Sequence, residues 1–198
     1  EPPSISKTWF ECGVISIAWR IYRYFAPKVI LFHNCVVKIA MRCQVPVLFL
    51  VFNRPQHTRV SLERIRMAQP AKLYIHCDAA RPDHPGDAEK VAEVRALIQE
   101  KVDWACEVKT LYRTENQGLR AGVGGALNWF FDLEPYGIVL EDDCVPDPTF
   151  FPFCGELLEY YLHDEQIMHI GCSNLAEEYT REGGDSYVFS RFSFVWGW

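Results

Sequence analysis

From Val45 onward, short apolar runs alternate with amphipathic stretches, and that alternation limits the fold more than any other feature of the chain. "VPVLFLVF" (45–52) is a continuous apolar run of the kind buried in a parallel or mixed sheet. "NRPQ" ends it, and residues 57–68 carry Val60, Ile65 and Ala68 among charges, which predicts a modest amphipathic helix. "AKLYIHCD" (71–78) reads as a second strand, followed by the Pro- and Gly-rich loop "AARPDHPGD". Asp87 suits the N-cap of the next helix, with Val91, Val94, Ile98 and Val102 on one face. A third strand covers residues 106–112, and a helix over 119–131 places Leu119, Val123, Leu127 and Phe130 on one stripe. Gly137 to Leu140 reads as a fourth strand. Residues 149–162 form a helix with Phe150, Phe153, Leu157 and Tyr161 inward, and 167–171 a further strand. Regular alternation of this kind predicts an α/β domain: a mostly parallel, mixed sheet between helices.

Size and composition fit that expectation. The 198 residues are 49% hydrophobic and 23% charged, enough for one α/β domain with a sizeable core and too apolar for global disorder. A net charge of −6 argues against nucleic acid as a partner, because phosphate binding wants a basic surface. The eight cysteines are scattered without a C-x-x-C pair, the pattern of reduced, buried thiols in a cytosolic protein.

Residues 1–40 differ from the domain expected over 41–198. Lys7, Arg20, Arg23, Lys28 and Lys38 face only Glu1 and Glu11, a net of +3 against −9 for the rest. The apolar stretch within them is broken by charges and by Pro27, so no window approaches the roughly 20 uninterrupted apolar residues of a spanning helix. No small-residue cleavage site of a signal peptide follows it. Three readings stand: an interfacial basic helix docking on an anionic membrane surface, an extension packing on the domain, or upstream sequence ahead of a start at Met41.

In sheets of this type ligands bind at the carboxyl ends of the strands. That rule selects Asn53 and Arg54, Asp78, and Glu141, Asp142 and Asp143 before any chemistry is considered. Three adjacent acids at the end of an apolar strand repel one another, and desolvating them is costly unless a cation sits among them. Carboxylates are hard oxygen ligands suited to Mg²⁺ or Mn²⁺, which often take one or two of them plus substrate phosphates. In an extended chain Glu141 and Asp143 point the same way and converge on one ion, with Asp142 facing elsewhere. A solvated acidic loop is the plain alternative. Arg54 can hold a phosphate oxygen, or be an ordinary surface arginine. Asp78 can accept from a base N–H or a ribose hydroxyl, or simply form the turn before "AARPD".

Other motifs are absent. Gly122, Gly124 and Gly125 do not give G-x-G-x-x-G, and no G-K-[ST] or G-x-S-x-G occurs. Asn116 and Gly118 shape the turn into the helix, leaving Arg120 near its positive end, where anions are favoured. Cys144 follows the acids, whose charge raises its pKa and disfavours a nucleophile. His76 and His169 sit in strand patterns and read as packing residues.

With these residues in view, the chain resembles a GT-A glycosyltransferase, close to bacterial family-2-like sugar transferases and more distantly similar to N-acetylglucosaminyltransferase I. The resemblance is carried by "PVLFLVFNRP", "LYIHCDAARP", "NQGLRAGV", "VLEDDCVPDPTFF" and "FSFVWGW", across residues 46–198. It implies the nucleotide-diphospho-sugar transferase fold, a sugar-nucleotide donor, a saccharide or other hydroxyl acceptor, and Mn²⁺ or Mg²⁺. It further implies Asp143 as direct metal ligand, Glu141 and Asp142 near a metal-bound water or the ribose, Arg54 by the phosphates and Asp78 by the base. Family members continue past the "WGW" element into an acceptor half that supplies the base, so the chain resembles the donor-binding half, with Glu182 and Asp185 of the late loop "REGGDS" as the acids to weigh for that base. A sugar-phosphate nucleotidyltransferase and a non-catalytic binding module are the competing readings. The former wants a Gly-rich loop with a basic residue after the first strand, and "NRPQHT" is not one.

Overall fold

The computed structural model describes residues 42–164 and 166–171; the expectations for residues 1–40, Glu182, Asp185 and "FSFVWGW" lie outside the described residues. The elements run β1 (Val47–Val51), α1 (Pro55–Ala68), β2 (Lys72–Cys77), α2 (Asp87–Lys101), β3 (Glu107–Tyr112), α3 (Gly118–Phe131), β4 (Ile138–Glu141) and α4 (Phe150–Tyr160). The four strands form one sheet in the order β3-β2-β1-β4, and every pairing is parallel. The sheet is therefore wholly parallel among the described residues, where a mixed one was expected. The anticipated strand at 167–171 reduces to a bridge at His169, with Met168 exposed, so that stretch lacks the buried face that strand pairing rewards.

Alternate residues of the buried strands serve opposite layers. Val47, Phe49 and Val51 join Leu62 and Ile65 of α1, Val94 of α2 and Leu157 of α4 in the larger core. Leu48, Leu50, Tyr74 and Val139 face α3 through Ala126 and Phe130. The result is a three-layer α/β domain. No helix among the described residues is long and apolar enough to cross a membrane.

Several helix details depart from the hydropathy pattern for local reasons. Pro55 occupies the first turn of α1, where its missing N–H costs nothing, so the helix starts two residues early. Its buried face includes Thr58 and Ser61, while Val60 is exposed. Both hydroxyls are buried because they are bonded: Thr58 Oγ1 donates to the Arg54 carbonyl and Ser61 Oγ to that of Asp142. Asp87 is not the N-cap of α2; Gly86, at φ 83°, takes that place in the left-handed region that favours glycine. Small residues seat α3 against the sheet, with Gly122, Ala126 and Phe130 as its buried stripe, and Leu119 is 81% exposed instead of inward.

Candidate functional site

The chain builds β1, β2 and β3 outward in one direction, then returns through α3 to lay β4 on the other side of β1. Strand order thus reverses between β1 and β4, and at such a reversal the flanking loops part and leave a crevice beyond the carboxyl ends. A cleft of about 370 Å³ lies there. Of the residues expected at the site, Asn53, Arg54, Asp78, Asn116, Gly118, Glu141 and Asp142 line it. Asp143 joins them indirectly through Arg54. Arg120 does not: it is exposed and belongs to a shallow groove on the outer side of α3.

The acids are not arranged as an extended chain would place them. β4 ends at Glu141, and a turn closed by the Cys144 N–H on the Glu141 carbonyl (3.0 Å) carries the next two residues. Ser61 Oγ pins this turn at the Asp142 carbonyl, 2.8 Å away. The turn breaks the two-residue alternation, so Asp142 points inward at 2% exposure and Asp143 outward at 42%. The cation among them is Arg54. Its Nε and Nη2 grip both oxygens of Asp142, and Nη1 donates to Asp143 Oδ2 at 3.0 Å. The Glu141 side chain, half-buried on the α3 side of the sheet, makes no hydrogen bond or ion pair with any described residue.

This charge distribution sets the local proton affinities. Burial raises the Glu141 pKa, and the charges of Asp143 and Asp142 raise it further. Burial also raises that of Asp142, outweighing the pull of Arg54 in the opposite direction. Burial above all, with the neighbouring carboxylates adding to it, pushes the Cys144 thiol up to about 12, which disqualifies it as a nucleophile.

Asp78 and Asn53 are tied into the scaffold. The Asp78 carboxylate accepts from the N–H groups of Ala79, Gln117 and Gly118 and from Asn116 Nδ2, at 2.8 to 3.2 Å. A carboxylate has about four acceptor sites, so these bonds occupy most of its capacity. Asp78 therefore anchors the positive end of α3 to the end of β2. Gly118, at φ 73°, lets the chain turn into the helix there. Asn53 Nδ2 donates to Asp87 Oδ1 at 2.7 Å, and Arg81 Nε reaches Asp87 Oδ2 at 2.7 Å. That pairing, chiefly with Arg81, holds the Asp87 carboxyl far below the usual range.

Three cleft residues were not anticipated. Leu119 reads as a core position from its helical spacing, but it stands at the cleft mouth. Arg81 lies in the loop after β2, three residues beyond Asp78, where the strand-end rule had stopped. His76 is 4% exposed, on the same sheet face as Glu141 and Leu50, and its Nε2 has no partner. Burial, then the charge of Arg113, lowers its pKa and keeps the ring neutral.

Among the described residues no group of three or more His, Cys, Asp or Glu side chains is gathered as a metal cage. Two carboxylates are nevertheless accessible, Glu141 without a partner and Asp143 sharing a solvent-exposed pair. That donor set fits a hard divalent ion drawing its other ligands from phosphate and water, and does not fit an all-protein site. No family model matches the chain, and no curated protein matches it.

Proposed function

We propose that the protein is a metal-dependent glycosyltransferase of the GT-A fold, binding a nucleoside-diphosphate sugar in this cleft and passing the sugar to an acceptor hydroxyl. One observation carries the reading: Glu141, Asp142 and Arg54 line a cleft walled by α3 where the strand order reverses, and Arg54 ties Asp143 to them. A basic side chain beside a surplus of carboxylate suits a diphosphate that arrives with a cation. Glu141 and Asp143 are the side chains that would hold Mn²⁺ or Mg²⁺, and the ion would supply Lewis-acid stabilisation of the departing diphosphate.

The chain's own residues divide the work. Arg54 lies within reach of the diphosphate, and its anchorage on Asp142 fixes its direction. Asp78 acts by holding Asn116 and Gly118 in place, so base or ribose contacts fall to the loop it organises. Leu119 and Val123 give the α3 wall an apolar surface for the flat face of a base.

Calorimetry with UDP, GDP and CDP sugars, with and without Mn²⁺, tests the reading. Metal-dependent binding of one of them is expected. Asp143→Ala is expected to abolish that dependence and leave the melting temperature unchanged or higher. Absence of any metal-dependent nucleotide binding overturns the proposal. Binding without release of nucleoside diphosphate in the presence of acceptor saccharides identifies the non-catalytic alternative.

A further inference from the structure

Asp142 and Asp143 share one arginine, and no other ion pair among the described residues reaches them or Glu141 beside them. The turn is left with two negative charges in excess, the complement of one divalent cation. We infer that Arg54 is the resident counter-cation of this turn and that it couples divalent-cation binding to diphosphate binding. The inference rests on the sugar-nucleotide reading of the cleft and adds to it a role for one residue.

The grip of Arg54 has two unequal halves. Nε and Nη2 fork onto Asp142, whose side chain is 2% exposed. Nη1 reaches Asp143 in a pair whose side chains are 43% and 42% exposed. Water and salt screen exposed pairs, whereas a forked pair on a buried carboxylate is held by the cost of leaving that carboxylate alone. The outer half is therefore the one that opens. A cation approaching Asp143 meets a carboxylate already engaged, with a like charge beside it. A diphosphate removes both obstacles, because its oxygens match the guanidinium fork and draw Nη1 away from Asp143. Arg54 stays on Asp142 as a pivot. By linkage, the cation must then strengthen diphosphate binding by the same factor.

The test titrates Mn²⁺ alone, UDP, GDP and CDP alone, and each diphosphate with Mn²⁺ into the full chain and into Arg54→Gln. Calorimetry and manganese EPR are the readouts, corrected for Mn²⁺–nucleotide association in solution. The full chain is expected to show coupling of at least about fivefold. Arg54→Gln should bind Mn²⁺ alone at least about threefold more tightly, having lost a competing like charge. It should also bind metal-free diphosphate more weakly, with the coupling gone. Asp143→Asn leaves the buried fork intact and covers a failure of Arg54→Gln to fold. It is expected to bind metal-free diphosphate more tightly than the full chain, because Nη1 is released. Unchanged coupling in a folded Arg54→Gln, equal or weaker Mn²⁺ affinity there, or no gain in Asp143→Asn overturns the role of Arg54 and leaves the proposed function standing. If neither Mn²⁺ nor any of the three diphosphates binds the full chain, the proposed function falls, and the role of Arg54 with it.

Discussion

Glu134, following α3 near the start of β2, and Asp142, at the end of β4, are buried to similar extents at 6% and 2% exposure. Their surroundings are opposite in kind. Glu134 accepts from Lys72 Nζ at 2.6 Å and from Tyr74 Oη at 2.5 Å, and Tyr74 Oη accepts in turn from Lys109 Nζ at 3.1 Å. Burial pushes the Glu134 pKa up, but Lys72 and Tyr74 outweigh it and hold the carboxyl below its usual range. At the other end burial prevails, and Asp142 and Glu141 both titrate high. One end is a closed network in which every buried polar group has its partner. The other holds surplus charge against one side chain that is itself 43% exposed. A fold gains nothing from the second arrangement by itself, and that is the physical reason for proposing the function there.

The largest expected effect tests the closed end. Glu134→Ala leaves the buried Tyr74 hydroxyl without its acceptor, and is expected to cost about 1–3 kcal/mol in urea unfolding. Glu141→Gln removes no bond and relieves repulsion from two neighbouring carboxylates, so stability should stay level or rise slightly. Equal losses in the two variants would erase the contrast.

The pH dependence sharpens it further, because the two ends carry opposite signs. Glu134, with its folded pKa below the ordinary 4.5, contributes stability that is present above 4.5 and lost as pH falls through the folded value. Glu141 has its folded pKa above the ordinary 4.5, and Asp142 above the ordinary 3.8. Their contribution is present below those values and lost as pH rises through the folded ones, so at neutral pH both weigh against the fold. The advantage of Glu141→Gln over the parent should therefore be greatest near pH 7 and shrink towards pH 4, in melting temperatures taken across that range. An advantage independent of pH would mean that its origin is not the charge of Glu141.

Much of this was legible in the sequence, and the failures have physical causes. The eight elements follow from apolar runs and helical spacing, since backbone pairing and burial are written into local pattern. The strand-end rule also named residues that the fold gathers around one cleft, Asn53, Arg54, Asp78, Glu141 and Asp142, because a parallel sheet sends its carboxyl ends to one edge. Side-chain direction was the hidden part. The expectation that Glu141 and Asp143 point one way and Asp142 the other assumed an extended chain, whereas a turn closed at Cys144 buries Asp142 on Arg54 and leaves Asp143 at the surface. Asp78 looked free to meet a ligand, because its partners Gln117 and Gly118 lie about 40 residues further along the chain. Leu119 misled because helical spacing records which residues share a stripe, not where the helix projects past the sheet.

Arg120 provides the smallest expected effect and the finest test of where the cleft ends. From sequence it belonged with the phosphate site, being near the positive end of α3, where backbone N–H groups attract anions. In the fold those N–H groups, on Gln117 and Gly118, are already spent on Asp78. The helix end is neutralised from within, and the Arg120 side chain lies on the outer surface with Gly124 and Gly125. Arg120→Ala should change nucleoside-diphosphate affinity by less than about twofold, the scale of a screened surface charge. A tenfold loss with unaltered melting temperature would return the phosphates to the helix end, and would move the functional half of the contrast from the acidic turn at β4 to the start of α3.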